Sequence, residues 1–72
     1  MQAVVHIGER LKRLRTLNAL TQAQLAERAG VTTATVARAE RDELEPHMTT
    51  VRKLSDALGV HPRELIEGGD DP

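Results

Sequence analysis

The chain of 72 residues has no cysteine, which excludes a disulfide staple and any thiolate-held metal. It has no phenylalanine, tyrosine or tryptophan either, so aliphatic side chains must form the whole core. Long apolar runs are missing. The longest is a few residues, far below the ~18–20 of a membrane span, and Val4 with Val5 is too short for the core of a signal peptide. A soluble, cytoplasmic protein is the expectation. A chain this short makes one small domain and buries only roughly 60% of its unfolded surface. Surplus charge is lacking as well: ten Lys+Arg stand against eleven Asp+Glu, a net −1. That total alone argues against a nucleic-acid binder.

What is present is unevenly placed. Residues 1–41 carry seven basic groups and three acidic ones, a surplus of +4; residues 42–72 carry three basic and eight acidic, −5, and the two account for the total. Such a split suggests one basic face and one acidic face.

The apolar spacing reads as helices, with no convincing strand alternation. Ile7, Leu11, Leu14 and Leu17 mark one face of a first helix. It is expected to end near Asn18 and Ala19, with Asn18 the residue that tolerates a left-handed conformation. Thr21 opens a second helix: Thr21 and Gln24 fit a capping box, and Leu20 and Leu25 fit its hydrophobic staple. That helix stops at Gly30, which supplies the positive φ of a helix end. Thr32 caps a third, with Val31 and Val36 as the staple. Residues 41–47 contain Pro46 and read as a loop. Met48, Val51, Leu54, Ala57 and Leu58 mark a fourth helix stopped by Gly59, and Pro62 suits the first turn of a short fifth through Leu65 and Ile66. The expected layout is an N-terminal arm over 1–6, a helical domain over 7–67 and a disordered acidic tail over 68–72.

Two helices joined by only Gly30 and Val31 must cross steeply, which is helix-turn-helix geometry. Ala26, Ala29 and Gly30 are small residues expected at the crossing. Val36 and Ala39 face the second helix, so Ala34, Ala37, Arg38 and Arg41 point away from it, with Thr33 and Thr35 on the shoulders. The second helix starts with free backbone N–H groups beside Gln22, an anion site suited to a phosphate.

Residues 8–66 resemble the Cro/repressor-type (XRE-type, lambda-repressor-like) helix-turn-helix family, compact all-α domains of five helices that bind operator DNA. The resemblance lies in Gly8-Glu9-Arg10-Leu11, Leu14-Arg15, Leu20-Thr21-Gln22 and Leu25-Ala26-Glu27-Arg28-Ala29-Gly30-Val31-Thr32. Val36, Glu40, Pro46, Leu54 and Ala57-Leu58-Gly59-Val60 continue it. It implies a recognition helix over about 33–41 in the major groove, with Thr33, Ala34, Ala37 and Arg38 at base edges. Thr21, Gln22, Thr35 and Arg41 would meet phosphates, and Arg15 and Glu40 would form an ion pair tying the first helix to the third. The chain departs from the pattern in places. Ala19 stands where a glycine is usual, and an Ala forced to positive φ costs about 1 kcal/mol. Asp42, Glu43 and Glu45 fill a loop that is often basic. Thr33 and Ala34 are too short for bidentate contacts to adenine, leaving thymine methyls, a hydroxyl bond and Arg38 for direct readout and DNA shape for the rest.

The expectation is therefore a sequence-specific regulator of transcription, a repressor before an activator, that binds double-stranded DNA as a homodimer and is nucleoid-associated when bound. Leu44, Val60, Leu65 and Ile66 are the candidates for dimer contact, with Leu44 expected to be exposed; residues 3–5 are a candidate arm across the dimer. The rival is an antitoxin-like or phage-type interaction module on the same fold, whose acidic C-terminal half binds a protein partner. His6, His47 and His61 share no metal-ligand spacing and read as surface or cap residues. No nucleophile motif or phosphate-binding glycine loop is present, so neither catalysis nor a cofactor or metal is expected.

Overall fold

The computed structural model describes residues 6–44 and 47–66; residues 1–5, 45–46 and 67–72, and with them most of the expected arm over 1–6 and all of the expected tail over 68–72, lie outside the described residues. Five helices follow one another: α1 Gly8–Leu17, α2 Gln22–Ala29, α3 Thr33–Glu40, α4 Met48–Leu58 and α5 Arg63–Ile66. Helix α3 packs on α1 and α2, α4 packs on α2 and α5, and α5 closes against α1. The core is aliphatic apart from the buried Ser55, whose hydroxyl donates to the Arg52 carbonyl, with Ile7, Leu11, Leu25, Val36, Leu54 and Leu65 almost fully sealed from solvent.

The local start and stop signals explain the boundaries. At α2, the Thr21 hydroxyl accepts from the Gln24 N–H at 3.0 Å while the Gln24 side chain accepts from the Thr21 N–H at 2.9 Å, completing the capping box. Leu20 and Leu25 are both buried beneath it. At α3, the Thr32 hydroxyl accepts from the Thr35 N–H at 3.1 Å. Gly30 has φ +73°, and a Cβ placed there would meet open space. Gly30 is therefore required by the backbone turn and not by the close crossing; Ala26 and Ala29, both buried, do the packing.

Two helices end without glycine. In α1 the Ala19 N–H donates to the Thr16 carbonyl at 3.0 Å and the Leu20 N–H to the Arg15 carbonyl at 3.1 Å, the bond pair of a Schellman stop. That motif puts the left-handed residue one place later than expected from Asn18: Asn18 has φ −94° and Ala19 has φ +58°. Asn18 serves instead through its side chain, whose amide donates to the Leu14 carbonyl at 2.7 Å. In α3 the same stop is built with Asp42 at φ +55°, the Asp42 N–H reaching the Ala39 carbonyl and the Glu43 N–H the Arg38 carbonyl.

Leu17 departs from its expected inward direction and is 74% exposed. It lies six residues, about 120° of helix, from Leu11 and occupies the last turn before the chain reverses. Met48, the first residue of α4, is also exposed.

Candidate nucleic-acid interface

The start of α1 lies against the end of α3, and the approach is close. A Cβ at Gly8 would fall 2.9 Å from the Ala39 carbonyl oxygen and closer still to that of Glu40, so only glycine fits. Ile7 has no side chain with which to cap α1, and the job falls to a residue 34 positions away: the Gly8 N–H donates to Asp42 Oδ1 at 3.0 Å. His6 Nδ1 lies 3.8 Å from the other Asp42 oxygen.

A second tie runs between the same helices. Arg15 Nε and one terminal amino group both donate to the Glu40 carboxylate, the latter at 3.1 Å, and the other amino group donates to the Leu20 carbonyl at 2.8 Å. Both side chains are largely buried, with 12% of Arg15 and 4% of Glu40 accessible. The hydrogen bond to Glu40 raises the Arg15 pKa above its usual value, with the carboxylate charge acting in the same sense and burial opposing it. Gln22 Nε2 completes the group, donating to Glu40 Oε1 at 3.0 Å. Three helices thus meet at one carboxylate, and the orientation of α3 is held from both sides.

The outward face of this assembly carries the residues singled out in the sequence. Thr33, Ala34, Arg38 and Arg41 are exposed, and Thr35 and Ala37 are half-buried. The Thr35 hydroxyl lies 2.9 Å from that of Thr32, and Arg41 is paired at 2.9 Å with Glu43. Thr21 and Gln22 stand at the adjacent start of α2. Thr21 and Gln24 occupy two of the four orphan N–H groups there; the Gln22 and Ala23 N–H groups have no partner within their own helix. The Gln22 amide retains one proton beyond the one given to Glu40.

Among the dimer candidates, Leu65 is 0% exposed. It fills the chain's own core, because α5 is a single turn whose one inward position closes the gap between α1 and α4, and its side chain has no surface to offer. Val60 and Ile66 are half-buried against the core. Leu44 is half-buried too, not exposed as its loop position suggested.

The links that the sequence did not signal are Asp42 to Gly8 and Gln22 to Glu40. A third, Glu43 to Arg41, had a local signal in two opposite charges two residues apart. His61, expected at the surface or in a cap, is placed as a cap: its Nδ1 accepts from the Arg63 N–H at 3.1 Å at the start of α5. Among the described residues no helix is long and apolar enough to cross a membrane.

The arrangement has close counterparts. Over 60 residues the chain is 35% identical to the immunity repressor protein of Bacillus phage phi105, covering 83% of this chain and 42% of that protein. It spans about half the length of the curated relatives it matches. The restriction-modification controller protein C.AhdI of Aeromonas hydrophila superposes with a TM-score of 0.82 at 36% identity, over 88% of this chain and 96% of that one. The P22 c2 repressor, solved in complex with a synthetic operator, superposes with a TM-score of 0.81 at 34% identity, over 86% and 94% of the two chains. The family model described as helix-turn-helix matches residues 11–65. With the α2–α3 pair and its Gly30 turn at the centre of that match, the chain belongs to the XRE-type helix-turn-helix family.

Proposed function

We propose that the chain is the DNA-binding unit of a transcriptional regulator, a repressor before an activator, that binds operator DNA as a homodimer in the cytoplasm. The observation that carries this reading is the exposed face of α3, braced from behind by the Arg15–Glu40–Gln22 group. A protein side chain that must stay in register with a base edge needs such support. The P22 c2 repressor, a close structural neighbour, is bound to an operator, which supports the same reading.

In this docking the N-terminal turn of α3 enters the major groove. Thr33, Ala34 and Ala37 offer methyl groups to thymine and Thr33 a hydroxyl, while Arg38 reaches guanine O6 and N7. Phosphates are met by the Gln22 and Ala23 N–H groups, the free Gln22 amide proton, the hydroxyls of Thr21 and Thr35, and Arg41. Short side chains on α3 leave much of the specificity to DNA deformability. No catalytic role is assigned. Two recognition helices are needed for a useful site, one per half-site, and the half-buried Leu44, Val60 and Ile66 are the surface left for the dimer contact.

Fluorescence anisotropy with random duplex DNA tests the docking. Binding is expected at about 50 mM salt and should weaken steeply as salt rises. Arg38→Ala should weaken binding and relax sequence preference, while Gln22→Ala should weaken it uniformly across sequences. No binding at low salt would leave the protein-interaction reading, in which the acidic C-terminal half contacts a partner. Selection from a random duplex pool then gives the operator, and a palindrome would establish the two-fold dimer.

A further inference from the structure

The end of α3 carries a carboxylate where a phosphate-binding surface would be expected to carry none. The Schellman stop places it there. Asp42, at φ +55°, turns the chain back, and the Glu43 N–H bonds to the Arg38 carbonyl at 2.9 Å. The turn is anchored from the other side as well, because the Asp42 carboxylate accepts the Gly8 N–H. Glu43 is thus held by backbone bonds over the last turn of α3, and its carboxylate accepts from the Arg41 guanidinium at 2.9 Å. About half of each side chain is accessible, 57% for Arg41 and 51% for Glu43, so the pair lies open to the solvent that DNA would replace. The hydrogen bond from Arg41 holds the Glu43 carboxyl below its ordinary value, and the charges of Arg41 and Arg38 act in the same direction. Glu43 is therefore ionised at neutral pH, where binding is measured.

We infer that Glu43 is a resident counter-ion of Arg41 at the end of α3, which DNA phosphate must displace and which lowers both the affinity and the salt sensitivity of docking. The inference rests on the DNA-binding reading above. A guanidinium offers its paired donors to a carboxylate or to a phosphate in the same fashion, so the two acceptors compete for one cation. Specific contacts through Thr33, Ala34 and Arg38 are untouched by the exchange. The counter-ion thus acts mainly against binding to arbitrary duplex, which depends on phosphate contacts alone.

The test compares the full chain with Glu43→Gln and Glu43→Ala by anisotropy on random duplex DNA across a salt series. Both variants should remain folded, losing no more than several degrees of Tm, and bind roughly 1.5- to 5-fold more tightly at about 50 mM salt, the range for an exposed ion pair. The slope of log affinity against log salt should steepen by up to about one. The gain should shrink in an Arg41→Ala background, and Asp56→Asn, which removes the same charge from α4, should give less. Equal affinity and slope for parent and variants would overturn the counter-ion while leaving the DNA reading intact. A gain that persists undiminished without Arg41, or that Asp56→Asn matches, would assign the effect to overall charge and overturn it too. Absence of binding by parent and variants alike would remove the DNA reading and this inference together.

Discussion

Ala19→Gly should stabilise the protein, although it deletes a methyl group and adds no contact. Ala19 sits at φ +58° and is exposed, so nothing packs on its Cβ that glycine would lose. Holding an L-residue in the left-handed region costs about 1–2 kcal/mol. Glycine removes that strain but has more freedom to lose on folding, about 0.4–1 kcal/mol relative to alanine. The difference leaves a net gain of about 0.5–1 kcal/mol. For a domain of this size that corresponds to a rise in Tm of roughly 2–8 °C. Without aromatic residues, unfolding is best followed by far-ultraviolet circular dichroism, in heat and in urea, and the urea slope should not change. Gly30→Ala is the matched reverse. Its φ is +73° and a Cβ there meets nothing within 4 Å, so it isolates the same backbone strain with opposite sign and should lose a similar amount. An unchanged or lowered Tm for Ala19→Gly, beside a loss for Gly30→Ala, would refute the assignment of strain to the α1 stop.

Three further outcomes can be checked by the same melts. Gly8→Ala drives a Cβ into two backbone carbonyls that belong to another helix, and overpacking of this kind should cost about 1–3 kcal/mol; retention of full stability would mean α1 can slide off the end of α3. Arg15→Met leaves the buried Glu40 carboxylate without its cation and should cost about 3–5 kcal/mol. Adding Glu40→Met should recover a large part of that, since the charge left stranded is then gone. Asp42→Ala keeps the left-handed turn but orphans the Gly8 N–H, for a loss of about 1 kcal/mol, whereas Asp42→Gly relieves strain while losing the same bond and should fall between that variant and the parent.

Local features of this fold were legible and distant ones were not, and the division has a physical cause. The capping box of Thr21 and Gln24, the Thr32 cap and the Gly30 and Gly59 stops each involve residues within five positions, so their signals survive in one dimension. The apolar period located α1 and α4 for the same reason, and Pro62 the single turn of α5. It misdirected Leu17 and Met48, in the last and first turns of their helices, because period alone does not tell where the neighbouring helices end. Asp42 is the opposite case. As a loop acid it looked like a departure from a basic loop, yet it caps a helix 34 residues upstream and fills a left-handed position. Nothing in its neighbourhood signals either duty. Leu65 shows the same limit from the apolar side: one inward residue of a one-turn helix carries no period, so core and interface were indistinguishable until α1 and α4 were placed around it. The outward face of α3 followed directly from the positions of Val36 and Ala39. What holds that face in place did not, because Gln22 was read only as a phosphate contact and its amide also donates to Glu40.

That bond changes what the net charge of −1 means for docking. Glu40 is acidic by count, but its carboxylate is largely buried and accepts from Arg15 and Gln22, so it adds little field at the surface of α3. Arg15 is likewise spent inside the fold. The charges an approaching polyanion meets there are Arg38, Arg41, Asp42 and Glu43, two positive and two negative. At a Debye length of about 10 Å it is this short-range sum, not the whole-chain total, that steers association. The same sum shows why one carboxylate matters so much. Replacing Glu43 changes the whole-chain charge by one part among many, but it takes the α3 face from no net charge to one net positive charge, so the salt response of binding should follow that face more closely than equal changes of charge elsewhere.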